Sequence, residues 1–528
     1  MTHIVWEEKI IGKTAIKVFP GRPKTIYQMF SDVVKKYPHN EAVKFGETLL
    51  TYAALSKRVQ ALASYLTKQC YLSKGNRVAL FLKNDDDFAT AFFAVSGTGA
   101  ISVIHNTKLK TPELKYQLDI TTPRCAIVDE TIWSSELDSL VKTKFDKLQL
   151  RHIYELESEF SPADRDEEDV NSILFTSGTT GHPKGVNILH RNLIHSSLRK
   201  EKYSEILGIK LPDGKYPRTI VAAPLFHVMA LGNQFLPSIR TGGAAILMDK
   251  FNTSSFLELI EQERIDRITG SPSMLRLLLM DKDFKKYNLS SIRLISFGSA
   301  AMPPDTIEAL KKAFPGVTLT NGFGLTEASA GCINLGDGCI ERPASVGKAS
   351  LGCEVKIVDK DIKEVAKNTI GEIVVTGPHV AGGYYNDPEN TEKSFKDGWF
   401  FTGDLGYIDE DGYVYISSRK TDMINRGGEN VYPVEVENAI CMHPQVMEVG
   451  VCAVTDNVMG EKVAAVIVPV PGVKIDADEI KEFCSDKLAK YKIPEYIFFS
   501  DSLPRNPNGK VVKKQLRSDV ESKLFCGE

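Results

Sequence analysis

The chain has 528 residues, too many for one ordinary hydrophobic core, so about two to four domains are expected. Its 42% apolar and 25% charged residues are the composition of a soluble globular protein. A formal net charge of -3 excludes a general nucleic-acid binder.

The N-terminus, Met1 to Glu8, lacks the basic-then-apolar pattern of a secretory leader, and no run of about 18 apolar residues follows it. At the other end, Phe525-Cys526-Gly527-Glu528 is no peroxisomal address, and Cys526 is not placed for prenylation. Nine cysteines are scattered with no C-x-x-C pair. Neither a zinc site nor a disulfide framework is therefore expected, and a cytoplasmic setting is. Peripheral contact with a membrane stays open.

Short apolar strands alternate with helices along the first part of the chain. Strands are expected at 78–82, 101–104 and 125–128, with helices at 86–95 and 112–118. The pattern resumes with strands at 219–222, 245–248 and 294–297 and helices at 231–238 and 255–262. Such alternation implies parallel sheets covered on both faces. Two blocks, roughly 70–200 and 210–325, predict two related α/β layers in one large domain. The acidic run Asp164 to Asp169 reads as a solvated linker. After about residue 345 half-exposed strands take over, and Asp411-Gly412 between apolar runs is a hairpin signal. Beyond Arg419 a compact α/β unit follows, with strands at 449–453 and 463–468 and a helix at 477–490.

The stretch Thr176-Ser177-Gly178-Thr179-Thr180-Gly181-His182-Pro183-Lys184-Gly185 directly follows an apolar strand, Ile173-Leu174-Phe175. Glycines let backbone N–H groups close on an anion, hydroxyls add donors, and Lys184 adds point charge. The register is wrong for a Walker A loop, which needs Ser or Thr after the lysine. The alternative is a small-residue surface loop; its length and position after a strand favour phosphate binding.

Four further segments accompany that loop: Asn321-Gly322-Phe323-Gly324-Leu325-Thr326-Glu327, Gly398 to Gly406 (with Thr402-Gly403-Asp404), Ser418 to Asn430, and Pro504 to Lys510. Together, in this order, they resemble the adenylate-forming superfamily of acyl-CoA synthetases, adenylation domains and luciferases, from about residue 25 to 517. The resemblance implies a large N-terminal domain (1–418) of two α/β layers plus a β-rich subdomain, and a small mobile α/β C-terminal domain (419–528). It also implies ATP, Mg2+ and coenzyme A as reactants, with a carboxylic acid activated as its acyl-adenylate.

By the same resemblance, Thr176, Ser177, Gly178, Thr179, Thr180, Gly181 and Lys184 would hold the triphosphate, and Ser299, Ala300, Ala301, Asn321, Gly322 and Phe323 the nucleotide. Thr326 would contact the α-phosphate. Glu327, with Thr176, would hold Mg2+, a hard cation suited to oxygen ligands. Asp404 and Arg419 would bind the ribose. Lys510 would be the lysine that stabilises charge at the reacting phosphorus, and Arg426, Gly427, Gly428 and Glu429 would face the coenzyme A tunnel. Thr421 stands where relatives carry the hinge Asp or Lys. Outside these motifs, Thr326-Glu327 alone would read as a helix start, Asp404 as a turn residue and Arg419 as a surface ion pair.

His227, closing Pro224-Leu225-Phe226-His227, is expected to gate the acid site, with Val228, Met229, Gly232, Gly298, Ser299 and Ala300 around the pocket. No Lys or Arg is expected there, which favours medium- or long-chain fatty acids. An aryl acid, as in coumarate ligases, is the alternative, as is loading of a carrier protein in place of free coenzyme A.

Overall fold

A computed structural model describes residues 4–176, 183–298, 302, 304–329, 331, 333–335, 341–505 and 511–525. Two large sheets form the first half. The six-stranded sheet runs in the order Lys184–Leu189, Val170–Thr176, Ile101–Ile104, Arg77–Phe81, Cys125–Val128, Lys144–Phe145. It is parallel except for Lys184–Leu189, which returns antiparallel along Val170–Thr176. Every residue of Ile101–Ile104 and Cys125–Val128 is buried, as expected of strands covered on both faces.

The helix Asp86–Thr98 fills the space above these strands. Asp85 caps it by accepting from the Phe88 amide, and Asp86 and Asp87 complement its dipole. Gly99, at φ +77°, ends it in the left-handed conformation that glycine adopts freely.

The second sheet has nine strands. Its central parallel part orders Thr318–Phe323, Leu294–Gly298, Arg267–Gly270, Arg218–Val221 and Ala244–Leu247. Two strands from early in the chain, Glu41–Phe45 and Thr48–Thr51, complete one edge. The two sheets are therefore not two consecutive blocks of sequence. The predicted helix at 231–238 is broken into Val228–Ala230, a π turn Leu231–Phe235, and Leu236–Arg240. Pro237 supplies no amide to a continuous ladder, and the widened turn accommodates this.

A five-stranded antiparallel sheet follows, built from Glu354–Val358, Gly371–Thr376, Phe395–Lys396, Trp399–Ile408 and Val414–Arg419. Its last two strands are joined at Asp409 to Tyr413, where Asp409 accepts from the Tyr413 amide and Gly412 takes φ +85°. Past a turn at 419–423 comes the final sheet, with Val446–Asp456 and Gly460–Pro469 paired antiparallel and Tyr496–Phe499 parallel beside them. The helix Ala477–Ser485 is shorter than the 477–490 span predicted. Arg276, on the helix Pro272–Met280, donates to the carbonyls of Val446 and Met447 and so ties this last unit to the nine-stranded sheet.

The acidic run is not a free linker. Glu167 is 2% exposed and accepts from Arg22 at 2.7 Å and from Lys9 at 2.5 Å, while Glu168 pairs with Arg191. These pairs fasten the N-terminal hairpin, Glu7–Ile11 with Thr14–Val18, to the body. Among the described residues no helix is long and apolar enough to cross a membrane.

Candidate active site

The loop between Val170–Thr176 and Lys184–Leu189 connects antiparallel neighbours, so its two ends stand together, Thr176 opposite Lys184. Thr176 Oγ1 lies 3.5 Å from the Lys184 carbonyl oxygen. Residues 177–182, which include Ser177, Gly178, Thr179, Thr180 and Gly181, lie outside the described residues, as do Ser299, Ala300, Ala301 and Lys510.

Against that loop mouth sits a segment the motifs did not single out, Ala381 to Tyr385. The Asn187 and Gly382 amides and the Tyr385 amide exchange hydrogen bonds between it and the strand Lys184–Leu189. Glycine leaves the approach uncrowded: a Cβ on Gly382 would stand 2.8 Å from Leu189 Cδ2, which would have to move aside. Tyr384 is thereby fixed with its ring under the Lys184 ammonium, 4.9 Å to the centroid, and its hydroxyl donating to Glu327 Oε1 at 3.0 Å. Burial, then the adjacent Glu327 carboxylate, raises the phenol well above its ordinary pKa, so it stays a donor.

Thr326 and Glu327 begin a short 3-10 turn, Thr326–Ala328, with Leu325 at its N-cap. Thr326 is thus not the cap its residue type alone would suggest, and its hydroxyl has no hydrogen-bond partner among the described residues. The Ala381 amide donates to the Glu327 carbonyl at 2.9 Å, holding this turn to the Tyr384 segment. Lys184, Tyr384, Thr326 and Glu327 therefore form one cluster of a cation, two hydroxyls and a half-buried carboxylate. This donor set fits a magnesium-bound triphosphate: a hard-oxygen ligand with phosphates completing the shell. Among the described residues no group of three or more His, Cys, Asp or Glu could hold a metal unaided.

The nucleotide motif residues Asn321, Gly322 and Phe323 end the strand Thr318–Phe323, at the carboxyl edge where ligands of parallel sheets bind. Gly322 is in register with Gly298 on the neighbouring strand. Any side chain at 298 would start 2.4 Å from the Gly322 carbonyl oxygen, so only glycine fits and the surface there is bare backbone. Asn321 donates to the Ser345 carbonyl at 3.4 Å.

Asp404 and Arg419 are opposed across the strands Trp399–Ile408 and Val414–Arg419. Arg419 Nε lies 3.0 Å from Asp404 Oδ1; the aspartate is buried while the arginine side chain is 40% exposed. His227 starts the helical turn Val228–Ala230, its ring tilted against Phe226 at 4.6 Å between centroids.

Arg426, Gly427, Gly428 and Glu429 make a two-residue hairpin turn in which both glycines have positive φ, +62° and +93°, as such turns require. Arg426 pairs with Glu495 at 3.2 Å. No hydrogen bond or ion pair among the described residues joins this hairpin to Glu327, Tyr384 or Asp404.

A cavity of about 50 Å³ lies between the helix His190–Ile206 and the nine-stranded sheet. Lys200, Arg267, Asn233, Gln234, Ser296 and Thr320 are among its lining residues, whereas Val228, Met229, Gly232 and Gly298, expected around the acid, are not. Lys200 is carried by the helix His190–Ile206, and periodicity alone does not reveal which face of that helix turns inward.

Residues 30–385 match the AMP-binding enzyme family, and residues 435–510 match the AMP-binding enzyme C-terminal domain. The chain belongs to the AMP-binding enzyme family. It is 35% identical over 490 residues to a feruloyl-CoA synthase from Amycolatopsis, an alignment covering 91% of this chain and 96% of that protein. To a long-chain-fatty-acid–CoA ligase of Bacillus subtilis it is 32% identical over 542 residues, covering 93% and 94%. Among solved structures, the o-succinylbenzoate CoA synthetase of Bacillus subtilis in complex with its acyl-adenylate intermediate superposes with a TM-score of 0.82. There the identity is 30%, over 93% of this chain and 97% of that one. The adenylate-forming resemblance and the two-part α/β architecture read from the sequence both hold.

Proposed function

We propose that the protein is an acid–thiol ligase that condenses a carboxylic acid with ATP to an acyl-adenylate and then passes the acyl group to coenzyme A. The observation that carries this reading is the cluster of Lys184, Tyr384, Thr326 and Glu327 at the mouth of a Gly/Ser/Thr loop. Magnesium enters with ATP as substrate and offsets phosphate charge as a Lewis acid.

The chain's own residues then have separable tasks. Lys184 and the loop from Thr176 hold the outer phosphates, and Tyr384 fixes the orientation of Glu327, which would hold magnesium through its other oxygen. Thr326 donates to the α-phosphate. Asp404 accepts from the ribose hydroxyls, with Arg419 keeping it ionised and oriented. Asn321, Gly322 and Phe323, with the segment 299–301, flank the base. Lys510 donates to the α-phosphate and the attacking carboxylate as charge builds there, a contribution of about 3–4 kcal/mol for one preorganised donor.

We divide the chain into a body, 1–418, and a mobile C-terminal domain, 419–528, that carries Lys510. For the second step that domain turns about Thr421, so that the hairpin Arg426 to Glu429 faces the incoming thiol. The sulfur then attacks the acyl carbon and AMP leaves. His227 gates the acid pocket. Fatty or aryl acids are the substrate class, and free coenzyme A the acceptor in preference to a carrier protein. Six cysteines carry free thiols in the described part of the fold, which suits a reducing cytoplasm.

The test is a panel of C2 to C18 and aromatic acids, scored for AMP release with and without coenzyme A. Binding of ATP with no acid-dependent AMP release would overturn the ligase reading; release only with a phosphopantetheinylated carrier would replace coenzyme A as acceptor.

A further inference from the structure

We propose that Glu461 and Asn425 are positioning residues for the second half-reaction, holding the hairpin Arg426 to Glu429 in the shape that receives the coenzyme A thiol. The proposal rests on the ligase reading above, which sets that hairpin opposite the thiol, and names the side chains that keep it in shape.

The hairpin has little to hold it by itself. Its strands, Ile424–Arg426 and Glu429–Val431, have three residues each, and two adjacent glycines form the turn. Glycine loses the most conformational freedom on folding, and a lone two-stranded hairpin is marginal in water. Among the described residues one register pair, Arg426 opposite Gly460, joins it to the strand Gly460–Pro469.

Three of its amides are nevertheless fixed. The Asn425 amide donates to Glu461 Oε2 at 3.0 Å, the Gly428 amide to Asn425 Oδ1 at 2.9 Å, and the Gly427 amide to the Met459 carbonyl at 2.7 Å. Met459 is itself placed by Asp456, whose Oδ1 accepts from the Val458 and Met459 amides at 2.9 and 2.8 Å. Two of the three bonds pass through the side chains of Glu461 and Asn425. Each can therefore be removed singly while the third, backbone to backbone, remains.

Glu461 has a second partner. Its Oε1 accepts from Arg517 at 3.0 Å, on the helix Lys513–Phe525, which begins three residues after Lys510 in the chain. Arg517 also pairs with Glu521 at 3.1 Å, and Glu521 accepts from the Thr455 amide. One carboxylate thus ties the hairpin of the second step to the helix that follows the lysine of the first. The Glu461 side chain is 26% exposed, so these charge-assisted bonds are partly sheltered from water.

A network that only stabilised the C-terminal domain would support both half-reactions alike, because Lys510 and the hairpin belong to the same domain. Positioning of the hairpin predicts an effect on the second step alone. A loosened hairpin must be ordered when coenzyme A binds, so the loss falls mainly on KM.

The experiment uses the full-length enzyme and whichever of octanoate, palmitate and 4-coumarate the wild type turns over best. Acid-dependent pyrophosphate exchange reads the first step, and thioester formation from the supplied acyl-adenylate, at varied coenzyme A, reads the second. Glu461→Ala and Asn425→Ala should each raise KM for coenzyme A about tenfold or more, with a smaller change in kcat and in pyrophosphate exchange. Glu461→Gln, which keeps an oxygen for the Asn425 amide, should recover much of the loss. Equal losses in both half-reactions, or an unchanged KM for coenzyme A, would overturn the proposal and leave the ligase reading standing. A wild type that releases AMP with acid but never acylates coenzyme A would overturn both the acceptor and the proposal. Should Glu461→Ala fail to fold, Asn425→Ala, whose side chain is exposed, decides by the same criteria.

Discussion

The Tyr384 hydroxyl donates to Glu327 Oε1 across the mouth of the phosphate loop, 3.0 Å away, while the same ring underlies the Lys184 ammonium. One side chain therefore positions both the anion and the cation that would meet MgATP. Tyr384→Phe keeps the ring and removes the hydroxyl. A hydrogen bond to a charged group is worth about 1.5–3 kcal/mol, so kcat/KM for MgATP should fall roughly 10- to 100-fold. Tyr384→Leu should cost more, because the contact with Lys184 is lost as well. Pyrophosphate exchange against MgATP concentration reads both; wild-type behaviour of Tyr384→Phe would remove Tyr384 from the site.

Asp404 and Arg419 form a cross-strand pair with the acid buried and the base half exposed. Arg419→Met should therefore raise KM for ATP about tenfold or more, by releasing the orientation of Asp404 and leaving its buried charge less compensated. Arg419→Lys should recover little, since Nε geometry is what a lysine cannot copy. Asp404→Asn should lower ATP affinity while CTP and UTP are affected in parallel, because ribose and not base is the partner. A change confined to one base would sink that assignment.

The two half-reactions separate the roles of the C-terminal residues. Lys510→Ala should abolish most acid-dependent pyrophosphate exchange, by about 10²–10³-fold, yet spare thioester formation from supplied acyl-AMP. Thr421→Pro should do the reverse. The Thr421 amide donates no hydrogen bond in the observed turn, whereas those of Lys420, Asp422 and Met423 do, so proline removes no bond from this state and stiffens the turn. Equal losses in both half-reactions, for either variant, would argue against a swinging domain.

Glu167 gives a stability prediction with a defined pH window. Burial raises its pKa, but the hydrogen bonds and charges of Arg22 and Lys9 outweigh that and hold it at about 2, below the usual 4.5. A depressed folded-state value means its stabilisation is complete above about 4.5 and is lost as pH falls toward about 2. Amide exchange in the hairpin Glu7–Ile11 and Thr14–Val18 should accelerate over that range, ahead of the sheets. Glu167→Gln should bring the same acceleration at pH 7, by about 2 kcal/mol once partial solvent screening is allowed for. A hairpin equally protected in the variant would show the network to be neutral.

Much of this was readable in the chain because the signals are local. The strands at 101–104 and 125–128 are unbroken apolar runs, and the Gly427-Gly428 turn states its own conformation. What stayed hidden depends on distance in sequence. Tyr384 reaches Glu327 because backbone hydrogen bonds lay its segment along the strand Lys184–Leu189, some 200 residues earlier. The run 164–169 looked solvated because its partners, Lys9 and Arg22, lie some 150 residues away. Glu41–Phe45 joins a sheet whose other parallel strands begin at 218, so no reading of adjacent segments could assign it.

The glycine pair at 298 and 322 has an evolutionary corollary. The sheet edge there is bare peptide, and mutation at 298 cannot decorate it without wrecking the strand contact. A search for altered specificity should therefore leave Gly298 alone and randomise positions whose side chains have room to change.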